Sequence, residues 1–244
     1  MFLTGTLLNV VAVLLGTTIG LLIGSRMPKR MQETMTDGLG LFTLVLGLAL
    51  ALAVLLDRTL PASTDLAVLG ALLAGAVVGE LLRLSDRLDA LGDAFQRRLE
   101  RGDRPSRVSE AFVTASLVFC VGPLTILGSI QNGLTGDIQL LAVKSLLDGV
   151  ASIAFAAALG FGVYLSALTV LVVQGGIALL AFLVGGNIDP AAVSAASAVG
   201  GILLLGVALR LLDIKRVRVV NFLPALLFAP LFVWLAAAVR QALG

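Results

Sequence analysis

Lys144 and Asp148 stand four residues apart in the apolar run "AVKSLLDGVASIAF". On a helix that spacing puts an ammonium and a carboxylate on one face, where they pair. An ionisable group at the centre of a spanning segment costs roughly 2.5–3.5 kcal/mol on insertion scales, so the pair is read first as functional. Asp148 can carry a proton, bind a cation, or hold Lys144 until a substrate anion replaces it. The plainer alternative is a structural pair with Lys144 snorkelling to the interface. Just upstream, "GPLTILGSIQNGLTGD" gathers Thr125, Ser129, Gln131 and Asn132 behind Gly122-Pro123. A proline removes a helical hydrogen bond, and in a bilayer irregular backbone survives only where it is buried in protein or lines a cavity. These four side chains are therefore expected to line a solute or ion path, the alternative being a kink followed by a glycine-rich turn. Gln174, beside Gly175 and Gly176, and Asn9, in the first apolar run, complete the set. Each amide can instead tie two helices together.

Composition says what must position these groups. Hydrophobic residues make up 59% of the 244, charged residues 13%, and the mean hydropathy is +1.07. A bilayer tolerates such an apolar exterior and demands runs of ~20 apolar residues to cross it. The net charge of +2 gives no reason to expect nucleic acid as a partner. Cys120 is the single cysteine and there is no histidine, which removes intramolecular disulfides, cysteine metal sites, imidazole bases and the usual pH switch. No metal or cofactor is called for, and no nucleophile stands with a base, so an enzyme is not expected. The glycine runs "GLLIG" and "GGIALLAFLVGG" lack the strand and P-loop residue of a nucleotide fingerprint, and close helix packing accounts for them.

The pattern predicts an all-α, polytopic transmembrane bundle of about eight helices. The first is "MFLTGTLLNVVAVLLGTTIGLLIG", and the others lie near 38–56, 66–83, 109–131, 139–159, 163–184, 192–211 and 219–240. Three basic clusters follow the first, third and seventh spans: Arg26, Lys29 and Arg30; Arg83 to Arg107; and Arg210, Lys215, Arg216 and Arg218. Loops rich in Lys and Arg stay cytoplasmic, and eight crossings with both termini outside put all three clusters on that side. Leu84, Leu88, Leu91, Phe95 and Leu99 form one apolar stripe in the long basic loop, predicting an amphipathic cytoplasmic connector. Met27, Met31 and Met35 read as a packing stripe, Glu80 with Arg83 as an interfacial pair, "NFLPALLFAP" as a second irregular helix, and Tyr164 and Trp234 as interfacial anchors.

At an offset of 159 residues "LVLGLALAL" (Leu44 to Leu52) falls on "LLLGVALRL" (Leu203 to Leu211), and Gly16 falls on Gly175. Five crossings separate the two triplets, which makes them an inverted repeat, a transporter habit. The expected layout of the single transmembrane domain 1–244 is repeat one at 1–83, connector at 84–107, central pair at 108–160 and repeat two at 163–244.

"GSIQNGLTGD" followed by "AVKSLLDGVASI", with "GTLLNVVAVLLGTTIG" near the start and "AVGGILLLGVALRLLDIKRVRVVNFLPALLFAP" near the end, resembles the bacterial membrane family catalogued as domain of unknown function 554, the YdfK/YqgA-like proteins. The resemblance covers nearly the whole chain and implies a multi-pass bacterial inner-membrane protein. It brings no established substrate or catalytic residues. From the residues themselves, the expected function is a secondary transporter or channel for a small solute or ion. The alternative is a non-transporting scaffold or regulator that acts through the basic loop around Arg97 and Arg98. The small-residue faces are compatible with a homodimer.

Overall fold

The computed structural model describes residues 3–57, 59–61, 63–87, 90, 108–120, 123–184 and 189–243. Among them the regular structure is entirely helical: α1 (Thr4–Gly24), α2 (Lys29–Leu55), α3 (Ser63–Leu81), α4 (Val108–Cys120), α5 (Pro123–Thr135), α6 (Gln139–Leu159), α7 (Val163–Val184), α8 (Pro190–Leu211), a 3-10 turn (Val219–Phe222) and α9 (Ala225–Leu243). Seven stretches of the described residues are long and apolar enough to cross a membrane alone. Helices α4 and α5, with 13 residues each and a 60° bend between them, make an eighth span only as a pair. The fourth span is interrupted as predicted: α4 ends at Cys120 and α5 starts at Pro123, a residue suited to the first helical position because its missing N–H is not needed. The last span is also irregular. It begins as the 3-10 turn, passes Pro224, and continues as α9 with Pro230 inside it.

The chain forms two compact units, Met1–Leu41 with Asp89–Gly186, and Phe42–Leu88 with Asn187–Gly244. The first and sixth spans join the fourth and fifth in unit one, while the second span from Phe42 onward joins the third, seventh and eighth in unit two. Each predicted repeat thus contributes to both units.

Within unit one, α1 lies along α6 through a seam of small residues. A methyl at Gly16 would meet the Gly149 carbonyl and the Ser152 hydroxyl, one at Gly20 the Ile153 carbonyl and Ala156, and one at Gly24 Ala157. Contacts advance together along both chains, so α1 and α6 are parallel. Helix α7 is likewise parallel to α4 and α5: Ser116 Oγ donates to Thr169 Oγ1 at 3.0 Å, and Gly133 meets Ala178 and Ala181. Helices α1 and α7 run antiparallel, tied where the Thr18 hydroxyl meets the Tyr164 hydroxyl at 2.6 Å. Phe119 on α4 and Phe155 on α6, both fully buried, meet edge to face at 6.0 Å. Small residues let backbones approach where lipid offers no hydrophobic drive between helices. The outward faces carry exposed Leu15, Leu22, Leu146 and Leu183, as surfaces against acyl chains should.

Unit two follows the same rule with antiparallel pairs. Gly70 and Gly75 of α3 meet Phe232 and Ala225 of α9, and Gly47 of α2 meets the Gly201 carbonyl of α8. Asp189 caps α8, accepting the Ala191 N–H at 2.8 Å. In the turn after α2, the Thr59 hydroxyl and N–H donate to Asp57 and hold its carboxyl below the usual carboxylate range.

Three expectations need correction. Glu80 pairs with Arg218 at 2.9 Å and with Asn221, not with Arg83, which turns into the left-handed region at φ 50° just after α3. The methionines do not form one packed helical stripe: Met27 precedes α2, and Met31 is 52% exposed, whereas Met27 and Met35 are half-buried. Trp234 lies in the middle of α9, exposed, rather than near an end, whereas Tyr164 does sit at the start of α7. Of the connector stripe, Leu88, Leu91, Phe95 and Leu99 lie outside the described residues, as do Arg97 and Arg98.

Candidate functional site

The polar site is built at the end of unit one where α1 and α6 begin and α5 finishes. On α6, Lys144 Nζ donates to both carboxylate oxygens of Asp148, at 2.9 and 2.7 Å, with the residues only 5% and 6% exposed. The four-residue spacing on a continuous helix makes this contact possible, and the partner helix completes it: Asn9 Nδ2 of α1 donates to Asp148 Oδ2 at 2.8 Å. A buried ion pair holds only if its remaining lone pairs are met, and Asn9 meets one. The seam of glycines brings α1 close enough for a short amide to reach.

Helix α5 joins through Asn132, whose Oδ1 accepts the Gly5 N–H of the first turn of α1 at 3.3 Å. The first N–H groups of a helix have no partner inside it, so a side chain of α5 caps α1. Leu141, fully buried, sits against both Gly5 and Gly128 and fixes a common level for α1, α5 and α6. At about 1.5 Å rise per residue, Lys144 is roughly 4.5 Å deeper than Leu141 and Ser129 about as much deeper than Asn132. Asn9 is roughly 6 Å deeper than Gly5. The fourth wall is α7. Gly133 packs on Ala178, so one turn deeper Ser129 is level with Gln174, and a methyl at Gly175 would lie 3.8 Å from the Thr6 side chain.

Thr6, Asn9, Ser129, Asn132 and Gln174 are all fully buried. Six of their polar atoms meet no hydrogen-bond partner among the described residues: Thr6 Oγ1, Asn9 Oδ1, Ser129 Oγ, Asn132 Nδ2, and both Gln174 amide atoms. Such a group costs about 1–3 kcal/mol when buried and unmet. The layer therefore presents donors and acceptors together beside an ion pair of zero net charge.

Six of the eight residues singled out from the sequence, Asn9, Ser129, Asn132, Lys144, Asp148 and Gln174, thus lie buried at this end of unit one, spread over roughly 10 Å of depth; Asn9, Lys144 and Asp148 are in direct contact, and Asn132 reaches α1 at Gly5. The other two have local duties. Thr125 donates to the Phe119 carbonyl at 3.1 Å and so patches the backbone left open by the helix break. Gln131 donates to Asp137 Oδ2 at 2.8 Å, while Asp137 Oδ1 takes the Gln139 N–H, so this amide ties the turn into α6. Thr6 was not singled out from the sequence. Its signal is spacing: three residues before Asn9, it lies on the same helical face.

The chain belongs to the family described as Protein of unknown function (DUF554), whose model matches residues 4–234. It is 30% identical over 234 residues to the uncharacterized membrane protein YdfK of Bacillus subtilis (strain 168), covering 96% of this chain and 97% of that one. It is 37% identical over 229 residues to the uncharacterized protein YqgA of Escherichia coli (strain K12), covering 92% and 94%. No solved structure matches it.

Proposed function

We propose that this member of the family is a secondary transporter or channel of the bacterial inner membrane, and that the polar layer of unit one is its solute or ion path. The observation that carries the reading is the set of six buried polar atoms without partners among the described residues, at the same end of unit one as the Asn9–Asp148–Lys144 cluster. Left unmet, they would cost on the order of 10 kcal/mol together, comparable to the whole net stability of a typical fold. Such groups are met by water or by a solute that reaches them, and either supports a path.

Packing in unit one supports the membrane path. Helices α1 and α6 are parallel; with α2 and α3 each crossing once, a parallel α6 requires the bent pair α4–α5 to cross once as well. That supports eight crossings with both termini outside, an arrangement that would put the basic clusters on the cytoplasmic side. The parallel pairing of α1 with α6 is matched by that of α7 with α4 and α5, as an inverted repeat around a central pair would require.

The test is chemical access. In a Cys120→Ser background, Ser129→Cys and Gln174→Cys are treated in membranes with a small charged thiol reagent, alongside the exposed turn control Asp57→Cys and the lipid-facing control Leu146→Cys. The path reading expects both layer positions to react, the turn control to react faster, and Leu146→Cys to stay silent. Layer positions as silent as Leu146→Cys would overturn it.

A further inference from the structure

We infer that the solute taken by this layer is a small zwitterion, which binds by exchanging partners with the Lys144–Asp148 pair. The inference rests on the path reading and adds the substrate class. Two features of the layer select it. The first is charge. Lys144 and Asp148 neutralise each other in direct contact, nearly enclosed by protein. A solute of net charge entering there leaves one charge without a counterion, and unpaired charge in a low-dielectric interior is heavily penalised. A zwitterion leaves the sum at zero: its carboxylate takes the Lys144 ammonium and its ammonium takes the Asp148 carboxylate. One ion pair becomes two, with no proton moved and no bond made or broken.

The second feature is the chemistry of the unmet groups. Asn9 Oδ1 and Gln174 Oε1 only accept, Asn132 Nδ2 and Gln174 Nε2 only donate, and the Thr6 and Ser129 hydroxyls do either. An anion would use the donors and leave the acceptors unmet; a bare cation would do the reverse. A molecule carrying an ammonium and a carboxylate uses both. Asn9 links the sets, because it holds Asp148 through Nδ2 while its Oδ1 stays available beside the carboxylate. Leu141, packed against Gly5 and Gly128 one turn from Lys144, keeps the surroundings of the pair tight, which favours a small body.

The experiment uses a zwitterion and its two halves. Purified full-length protein in proteoliposomes is offered labelled glycine, β-alanine, acetate and methylammonium, and each compound is also scored for protecting Ser129→Cys from the thiol reagent. The expected result is uptake of and protection by at least one of the two zwitterions. Its apparent affinity should exceed that of either half by about a hundredfold, a ratio that is two tenfold steps of binding free energy. Uptake should vanish in the Lys144→Met/Asp148→Leu double variant. Acetate or methylammonium acting as well as the zwitterions, or driven by a pH gradient in their place, overturns the inference. So does a failure of both zwitterions to act. In each of those cases reactive cysteines at Ser129 and Gln174 would leave the path reading standing, whereas silent ones would take it down too.

Discussion

Removing one member of the buried pair should be far worse for the fold than removing both. Lys144 and Asp148 are 5% and 6% exposed, and the ammonium contacts both carboxylate oxygens within 3 Å. Lys144→Met leaves the carboxylate with only Asn9 Nδ2 as a hydrogen-bond partner, and Asp148→Leu leaves the ammonium with none of its partners seen here. Loss of one member of a buried pair costs about 3–5 kcal/mol, while replacement of both by apolar residues of similar volume is often neutral or better. The double variant still orphans Asn9 Nδ2, a residual cost of about 1–3 kcal/mol, which Asn9→Leu in a triple variant should remove. At about 2–4 °C per kcal/mol for a chain of this size, each single variant should melt on the order of 10 °C below the wild type. The double should recover most of that loss, and the triple nearly all of it. The assay is thermal unfolding in detergent, read alongside uptake into proteoliposomes. Under the proposed function the recovered variants are folded and inactive. A double variant that melts as low as the singles would refute the pairing energetics; one that is stable and still transports would refute the site.

Two further outcomes test the packing around the site. Gly16→Ala puts a methyl into the Gly149 carbonyl and Ser152 hydroxyl across the α1–α6 seam, so it should cost about 1–3 kcal/mol by overpacking. Gly176→Ala, with nothing within 4 Å, should be neutral or gain up to about 1 kcal/mol from helix propensity; equal melting of the two variants would contradict the seam. In unit two, Asn221→Ala strips the acceptor from the Ser85 N–H at 2.8 Å and a donor from Glu80, a loss of about 1–3 kcal/mol. Arg218→Ala breaks a pair whose side chains are 67% and 60% exposed and should change stability by less than about 1 kcal/mol. Denaturant titration that reverses this order would show the exposed pair, not the amide, to be the joint between α3 and the last span.

Most of the spans were legible because apolar runs of bilayer length have few other uses, and the lysine and aspartate were legible because charge inside such a run is costly wherever it occurs. Roles that depend on tertiary contact were harder to read. Glu80 has Arg83 three residues away in sequence, yet its partner is Arg218, which only the joining of α3 to the last span brings near. Thr125 and Gln131 share a polar stretch with Ser129 and Asn132 but leave the layer, because one serves a carbonyl freed at the break and the other the turn into α6. Thr6 stayed hidden for the opposite reason. A helical threonine ordinarily returns its hydroxyl to its own backbone, as Thr18 does to the Leu14 carbonyl, so only burial without a partner distinguishes it.

The distribution of buried polarity also differs between the units. Among the described residues, unit two buries only Thr43, Thr64, Ser197 and Asn221 as polar side chains. Ser197 returns its hydroxyl to the Val193 carbonyl and Asn221 is engaged at the α3 joint, while the Thr43 hydroxyl is the unit's one buried side-chain atom without a partner among the described residues. Its packing is glycine against backbone, which holds helices together without needing a polar guest. Unit one contains the ion pair, the broken span and the cluster of unmet amides and hydroxyls. If stability alone governed that interior, apolar residues of similar volume would serve it better, since half-satisfied polar networks are inferior to a dry core. Their retention in one unit and near-absence from the other is what a solute-binding role for unit one requires, and it makes substitutions there the ones that should separate folding from function.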